Sequence, residues 1–181
     1  MTTTLPGAPN RAAVRARWSI GVPSPIGHLA ICTDGDRLVH LHLPVEAGPP
    51  PCEAAQPGPA PADGAVPAVL VETRRQLGEY FAGSRRAFDL PIDPVGTEFQ
   101  RRVWWALADI AYGETISYKE LARRVGRPTA YRAVGQANGA NPLAIVLPCH
   151  RVIAHGGGIG GYGGGVDAKR VLLDLERSAP A

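Results

Sequence analysis

The feature that most constrains this chain of 181 residues is an apolar run that ends at a cysteine beside a histidine. Residues 143–147 have the length and β-branched content of a buried strand, although a short buried helix would show the same pattern. Pro148 cannot donate a sheet hydrogen bond, so we expect the strand to end there. Side chains alternate along a regular strand, so Cys149 and His150 can act together only where the backbone is irregular. The sequence therefore predicts a buried strand whose irregular end presents Cys149.

The residues around Cys149 leave two interpretations open. A free cysteine in an apolar strand usually packs as a small hydrophobic side chain. Against this, His150 and Arg151 can both favour the thiolate, and they stand at the end of the run. A core cysteine and a reactive thiol are both compatible with the pattern.

The remaining cysteines and histidines do not predict a metal site. Cys32, Cys52 and Cys149 lack CxxC spacing and indicate neither a disulfide framework nor a zinc knuckle. His40 and His42 lie near Cys32 in sequence, but such alternation is common on an exposed strand face. We expect no metal and no cofactor, and we interpret Cys52 as an exposed, dispensable thiol.

Positive charge is concentrated in one segment of the chain. Residues 118–151 contain six basic residues and one acidic residue, a local charge of +5, so the formal net charge of +3 leaves −2 for the remainder. Such a patch is typical of phosphate-backbone binding, although a solvated helix face gives the same count. No apolar run approaches the roughly 20 residues of a membrane span, and the first residues lack the features of a signal peptide. These observations predict a cytoplasmic protein without membrane contact.

The first half of the chain predicts a small sheet and one helix. Short β-rich runs separated by turn signals predict three antiparallel strands, at residues 18–22, 29–33 and 38–43. Residues 44–67 are rich in proline, alanine and glycine and predict an extended loop. An amphipathic helix over 68–82 and a short strand starting at Phe88 follow. A proline-marked boundary then divides the chain into domains at 1–93 and 94–181.

The second half predicts four helices. Thr97 can cap a helix that runs through Ile110, and Ser117 can cap a second helix over 118–125. A tight turn leads into a third helix over 130–139, so the pair indicates a helix-turn-helix. The third helix consists mostly of alanine and glycine, which favours sequence-independent DNA contact, but close helix packing explains the same composition. A last amphipathic helix over 167–177 carries Glu176, a surface carboxylate unless its face meets His150.

Residues 156–165 are eight-tenths glycine around Tyr162. A flexible linker has this composition. A loop that lets backbone approach a flat ligand closely, with Tyr162 setting the ligand's position, has it too. The Walker pattern of a phosphate loop is missing.

With these segments assembled, the second half resembles the O6-alkylguanine-DNA alkyltransferases, also called methylated-DNA-protein-cysteine methyltransferases. The resemblance covers roughly residues 97–176, and Pro-Cys-His-Arg-Val at this distance after Arg-Ala-Val-Gly is its most specific part. The matching motifs are Ile116-Ser-Tyr-Lys-Glu-Leu-Ala, Arg132-Ala-Val-Gly, Asn141-Pro, Pro148-Cys-His-Arg-Val-Ile, Gly161-Tyr-Gly-Gly-Gly, and Lys169 with Leu172-Leu173 and Glu176.

The resemblance implies a fold, a reaction and a partner. The fold is α+β, with a small N-terminal antiparallel-sheet (RNase H-like) domain and a mostly helical C-terminal domain that carries the helix-turn-helix. The reaction is direct-reversal repair, in which Cys149 takes the alkyl group from O6-alkylguanine, and from O4-alkylthymine, flipped out of duplex DNA. The transfer is irreversible and consumes the protein. The partner is alkylated double-stranded DNA, bound by a monomer, with cooperative binding left open.

The resemblance also implies roles for individual residues. Glu176 orients His150, which takes the thiol proton through a water, while Tyr118 assists the leaving guanine and Asn141 braces the active-site turn. Arg132 fills the stack that the flipped base vacates. The further residues expected to contact DNA are Tyr131, Ala133, Gly135, Arg151, Ser117 and Thr129. Those expected to line the substrate pocket are Tyr162, Gly163, Gly164, Ile159 and Lys169.

This sequence departs from the family's pattern at two positions. Gly163 stands where human-like members have a serine that contacts O6, so only the backbone amide remains there. Tyr131 is bulkier than the alanine of some relatives. Cys149 itself distinguishes the chain from alkyltransferase-like proteins, which share the scaffold and lack the cysteine.

Two other classes of protein share part of these features. A DNA-binding regulator would use the helix-turn-helix and keep Cys149 inert, and a cysteine hydrolase would turn over small acyl substrates without DNA. A regulator needs more base-reading side chains on its recognition helix. A hydrolase does not need the basic segment.

Overall fold

The computed structural model describes residues 18–44 and 66–178. Three antiparallel strands open the described chain, in the spatial order β1 (Trp18–Ser24), β2 (Gly27–Thr33) and β3 (Leu38–His42). Gly27 lies in the turn between the first two strands at φ +104, and Gly35 lies in the second turn at φ +121. Both values fall in the region that glycine adopts without steric cost. The predicted antiparallel sheet is confirmed.

Helix α1 (Ala68–Phe81) packs on this sheet and buries one face, as its periodicity predicts. Gly83, at φ +74, follows its end. The predicted strand after Phe88 is wrong, because only Ile92 forms a bridge, to Leu38 of β3. Pro91 and Pro94 lack backbone N–H groups, so this segment cannot extend a ladder.

The proline-rich loop lies almost entirely outside the described residues, together with the prediction made for Cys52. Cys32 is fully buried in β2 and is disulfide-bonded. The sequence does not indicate this bond, since three cysteines without a recognisable spacing predict no framework.

The second half is mostly helical. Thr97 and Gln100 form a capping box at the start of α2 (Glu98–Ala108), and Ser117 caps α3 (Tyr118–Arg124). The helix-turn-helix is completed by α4 (Tyr131–Gly139), and α5 (Gly165–Ser178) ends the described chain. The four predicted helices are therefore present. A short parallel pair, β4 (Ile116–Ser117) and β5 (Val152–Ile153), was not predicted and ties the start of α3 to the segment after Cys149.

The predicted strand over residues 143–147 is wrong, although all of it except Val146 is buried. Leu143 forms a single bridge with Leu41 of β3, and the chain then turns back on itself. The Leu147 amide donates to the Leu143 carbonyl over 2.8 Å, and Ile145 has φ +72. Apolar content reports burial, whereas this turn is set by local hydrogen bonds that periodicity does not detect.

One hydrophobic core joins the two halves. It contains Ile31 and Leu41 from the sheet, Leu77 from α1, and Leu107 and Leu172 from the helical half. In the described parts of the chain, no helix is long and apolar enough to cross a membrane. Within residues 18–44 and 66–178, no group of three or more His, Cys, Asp or Glu is arranged to hold a metal ion. The division into domains at residue 94 stays a prediction.

Candidate active site

Asn141 holds the turn that leads to Cys149. Its amide Nδ2 donates to the Leu147 carbonyl over 2.7 Å, and its Oδ1 accepts from the Leu143 amide over 3.0 Å. These two bonds close the turn from inside. Pro148 then leads into a single 3-10 turn, Cys149–Arg151. The predicted irregularity at Pro148 is therefore present, in a helical turn instead of at a strand end.

Glu176 of α5 lies behind this turn and meets His150. The Oε1 atom of Glu176 is 2.8 Å from Nε2 of His150, and both side chains are almost completely buried. Arg151 reaches the same carboxylate twice, with Nε 2.9 Å from Oε2 and Nη2 2.9 Å from Oε1. The Gly113 amide donates to Oε2 over 3.0 Å. Glu176 is thus a buried carboxylate surrounded by donors, and not a surface residue.

These contacts keep Glu176 ionised. Burial alone raises the pKa of a carboxyl, but hydrogen bonds from His150 and Arg151 outweigh it and lower the pKa of Glu176 to about 2. Burial lowers the pKa of His150, and the Glu176 carboxylate opposes that effect. At neutral pH the pair is therefore a carboxylate and a neutral imidazole. Since Nε2 faces the carboxylate, the imidazole proton lies on Nε2 and the lone pair on Nδ1.

Cys149 is a free cysteine, 6% exposed, at the wall of a cavity of about 310 Å³. That volume is at the lower end of the roughly 300–1,000 Å³ range of small-molecule sites. Burial raises the pKa of the Cys149 thiol, while a hydrogen bond from Asn141 and the charge of Lys169 lower it. The thiol is thus mostly protonated at neutral pH and needs a base to become a nucleophile.

The cavity is formed by α3, α4, the glycine-rich loop and the end of the sheet. Tyr118 opens α3, Gly135 faces its ring, and Tyr162 and Gly163 come from the loop. The Tyr162 ring packs edge to face on His150, with ring centroids 6.4 Å apart. The full lining is Leu43, Tyr118, Gly135, Asn138, Gly139, Asn141, Ala144, Cys149, Gly161, Tyr162 and Gly163.

Three residues predicted for the pocket do not line this cavity: Ile159, Gly164 and Lys169. Lys169 is fully buried in α5, and its Nζ donates to the Val152 carbonyl over 2.7 Å and to the Gly161 carbonyl over 3.3 Å. It therefore anchors the glycine-rich loop to the segment after Cys149. An added Cβ on Gly164 would lie only 3.0 Å from the Leu43 side chain, so Gly164 permits the loop to approach the sheet.

The residues predicted to contact DNA fall into two groups. One group is exposed to solvent, just before and in the first turn of α4: Thr129, Tyr131, Arg132 and Ala133. Ser117 and Gly135 are partly buried; Ser117 caps α3 by accepting from the Glu120 amide over 3.1 Å.

Arg151 lies inside the molecule. The resemblance implies that it contacts DNA, but here its side chain is buried, and its guanidinium donates to Glu176 and to the Ile110 carbonyl, 2.6 Å from Nη1. A buried carboxylate requires a nearby cation, and Arg151 supplies it. The exposed part of the predicted basic segment consists of Lys119, Arg123, Arg124, Arg127 and Arg132.

Several residues around the site are not among those predicted from the sequence. Tyr80 of α1 donates its hydroxyl to Oε1 of Glu176 over 2.8 Å, from 96 positions away along the chain. Leu43 brings the sheet to the cavity, and Asn138 of α4 donates to the Cys149 carbonyl over 3.4 Å. Tyr80 and Leu43 lie in the amino-terminal half, which contains no recognisable motif, and the sequence shows only that each belongs to a partly apolar segment. Asn138 is a buried polar residue in a helix of small residues, which was a usable signal.

Both halves of the chain match known family models. Residues 98–178 match the model described as 6-O-methylguanine DNA methyltransferase, DNA binding domain, and residues 21–94 match its ribonuclease-like domain. The chain is 48% identical over 161 residues to a methylated-DNA-protein-cysteine methyltransferase of Mycobacterium tuberculosis, covering 88% of this chain and 93% of that protein.

Two solved structures of Mycobacterium tuberculosis proteins have a similar fold. The O6-methylguanine methyltransferase of Mycobacterium tuberculosis superposes with a TM-score of 0.79 at 44% identity, over 90% of this chain and 94% of that one. A structure of OGT from Mycobacterium tuberculosis in complex with DNA gives a TM-score of 0.74 at 45% identity, over 89% of this chain and 94% of that one. The similarity thus extends over both halves.

Proposed function

Because this chain belongs to the methylated-DNA-protein-cysteine methyltransferase family, which repairs DNA by moving an alkyl group onto a cysteine of the protein, we propose that Cys149 is the acceptor. The observation that carries this assignment is the buried Glu176–His150 pair directly behind a free cysteine in a cavity wall. The protein is thus a DNA-repair transferase that is consumed by its own reaction.

Deprotonation of the thiol falls to His150. Its Nε2–H is held by Glu176, which leaves the Nδ1 lone pair as the base. Nδ1 is buried and has no hydrogen-bond partner among the described residues. The proton passes from Sγ through a water to Nδ1, and the imidazolium that forms is stabilised by the Glu176 carboxylate.

The transfer step exchanges one bond for another. The Cys149 thiolate attacks the alkyl carbon, so a C–S bond forms as the bond between that carbon and O6 of guanine breaks. The electron pair of the broken bond leaves with guanine, and Tyr118, in the cavity wall, assists that departure by donating a proton to the departing base. The S-alkyl cysteine that forms is a stable thioether and does not release its alkyl group, so each chain acts once.

We propose O6-alkylguanine as the substrate, with O4-alkylthymine as a second one. A flat base can enter between Tyr118 and the glycine-rich loop, where Gly161 and Gly163 allow close approach of the backbone. Gly163 lines the cavity and stands where the resemblance places a serine hydroxyl of human-like members, so we propose its backbone amide as the donor to O6. A damaged base reaches this cavity only when it is flipped out of the duplex, which costs a few kcal/mol.

The helix-turn-helix supplies the DNA contact. Arg132 is exposed on α4, the helix that also carries Gly135 and Asn138 in the cavity wall. This placement suits a side chain that fills the space left by the flipped base. The small residues of α4 let the helix approach the DNA backbone closely and offer few side chains that read bases, so binding depends little on the DNA sequence. We propose that a monomer acts, with residues 94–181 as the DNA-binding and catalytic domain and residues 1–93 as a supporting domain.

A stoichiometric titration tests the proposal. The full-length protein is mixed with increasing amounts of a duplex that carries one O6-methylguanine, and the repaired guanine is quantified. We expect repair to stop at one guanine per chain and to be abolished in Cys149→Ser, while both proteins bind the duplex. Continued repair beyond one equivalent, or transfer by Cys149→Ser, would refute the assignment.

A further inference from the structure

Tyr80 is a buried tyrosine of the amino-terminal half whose hydroxyl reaches the catalytic carboxylate. It is fully buried near the end of α1, and its Oη lies 2.8 Å from Oε1 of Glu176 and 3.5 Å from Nε2 of His150. Its ring packs against Phe81, Phe88 and Tyr112, with centroids 5.3 to 6.1 Å away. The hydroxyl is therefore held at the carboxylate by rigid neighbours.

The Tyr80 hydroxyl is a donor in this contact. Glu176 is ionised, and burial together with the Glu176 charge raises the pKa of Tyr80 far above its usual value, so the phenol keeps its proton. Oε1 of Glu176 then accepts from three groups, on Tyr80, His150 and Arg151, while Oε2 accepts from Arg151 and Gly113. Tyr80 and His150 bind the same oxygen, so the hydrogen bond from Tyr80 neutralises part of the negative charge that stabilises protonated His150.

We propose that Tyr80 is a positioning residue for alkyl transfer, through which the amino-terminal half orients Glu176 and sets how strongly this carboxylate acts on His150. The inference rests on the proposed function, since it assigns His150 as the base. It gives the amino-terminal half a part in the chemistry beyond packing, because this half contributes a hydrogen bond to the catalytic pair.

Removal of the hydroxyl has a defined direction. In Tyr80→Phe, Oε1 of Glu176 loses one donor, and more of its charge acts on His150. The protonated imidazole gains stability, so the pKa of His150 rises and a higher pH is needed to reach the neutral base. The other ionisable groups around His150 remain in place: Glu176 and Lys169 of α5, Arg151 and Cys149 of the same turn, and Tyr162 of the loop.

The test compares pH profiles of the single-turnover rate for the unsubstituted protein, Tyr80→Phe and Tyr112→Phe. Tyr112 is a matched control, because its ring lies 6.1 Å from Tyr80 while its hydroxyl has no hydrogen-bond partner among the described residues. We expect the acid limb of Tyr80→Phe to move up by about one pH unit, which slows transfer roughly tenfold below the midpoint. The Tyr112→Phe profile should superpose on that of the unsubstituted protein.

Histidine NMR titration of the unalkylated protein gives a second readout that needs no activity. We expect the titration of His150 to move to higher pH in Tyr80→Phe and to stay in place in Tyr112→Phe. A rate lowered equally at every pH, with an unmoved His150 titration, would reduce Tyr80 to a packing residue and overturn the inference. Transfer by the unsubstituted chain checks the proposed function separately, and its absence would overturn both.

Discussion

Replacement of Glu176 by glutamine should lower the free energy of unfolding by an amount that depends on pH. The Glu176 side chain is 1% exposed, and its carboxylate accepts from Tyr80, His150, Arg151 and Gly113. Its pKa falls from 4.5 to about 2, because hydrogen bonds from His150 and Arg151 outweigh the opposing effect of burial. Each unit is worth about 1.4 kcal/mol, so ionised Glu176 contributes about 3 kcal/mol. That size agrees with the roughly 3–5 kcal/mol lost when one partner of a buried ion pair is removed.

The lowered pKa of Glu176 decides how its contribution to stability changes with pH. A carboxyl whose pKa is lower in the folded protein stabilises it above the unfolded pKa, and this contribution is lost as the pH falls towards the folded pKa. For Glu176 the contribution is complete at pH 7 and declines between about pH 5 and pH 2. By pH 3 about 2 kcal/mol of it should be gone.

Urea unfolding of the two proteins at pH 7 and pH 3 measures this effect. We expect Glu176→Gln to be less stable by about 3 kcal/mol at pH 7 and by about 1 kcal/mol at pH 3. Glu98→Gln is the matched control, since the Glu98 side chain is 89% exposed on α2 and its surface pair with Arg102 is worth little. An equal stability loss at both pH values would show that Glu176 is not held ionised by its neighbours.

Three further substitutions test other parts of the site. Asn141→Ala leaves the Leu147 carbonyl without its donor, so it should lower the free energy of unfolding by about 1–3 kcal/mol and slow alkyl transfer. Unchanged stability and rate would show that the turn forms without the Asn141 side chain. Arg132→Ala should slow transfer from duplex DNA while the free alkylated base still reacts at the normal rate, and equal effects on both substrates would exclude a role in flipping. Thr97→Ala removes the cap of α2 and should cost about 1 kcal/mol with no change in transfer rate, which stability and rate measurements check together.

The helices and the sheet were predictable from local signals. Thr97 and Ser117 are oxygen-bearing residues directly before amphipathic segments, and both cap helices in the structure. The three strands alternate with turn residues such as Gly35, which marks a backbone conformation that glycine favours. Caps and glycine turns depend on the residue types at one or two positions, so the sequence shows them directly.

Contacts between distant segments were not predictable in the same way. Residues 143–147 resemble a strand because they are apolar and buried, but short-range hydrogen bonds from Asn141 and between Leu147 and Leu143 make them a turn. Arg151 belongs to a basic segment by composition, yet the buried Glu176 draws it inside. Tyr80 has no motif around it, and its part in the site appears only when α1 packs against the helical half. The positions of Arg151 and Tyr80 depend on tertiary packing, which overrides the local pattern.

Peptide mapping by mass spectrometry is the most direct test of the central claim. The protein is reacted with a duplex that contains isotope-labelled O6-methylguanine, digested, and searched for the labelled methyl group on the peptides that carry Cys149, Cys32 and Cys52. We predict one labelled methyl per chain, on the Cys149 peptide, formed as unmodified guanine appears in the duplex. Label on another residue, or repaired guanine without label on the protein, would contradict the account.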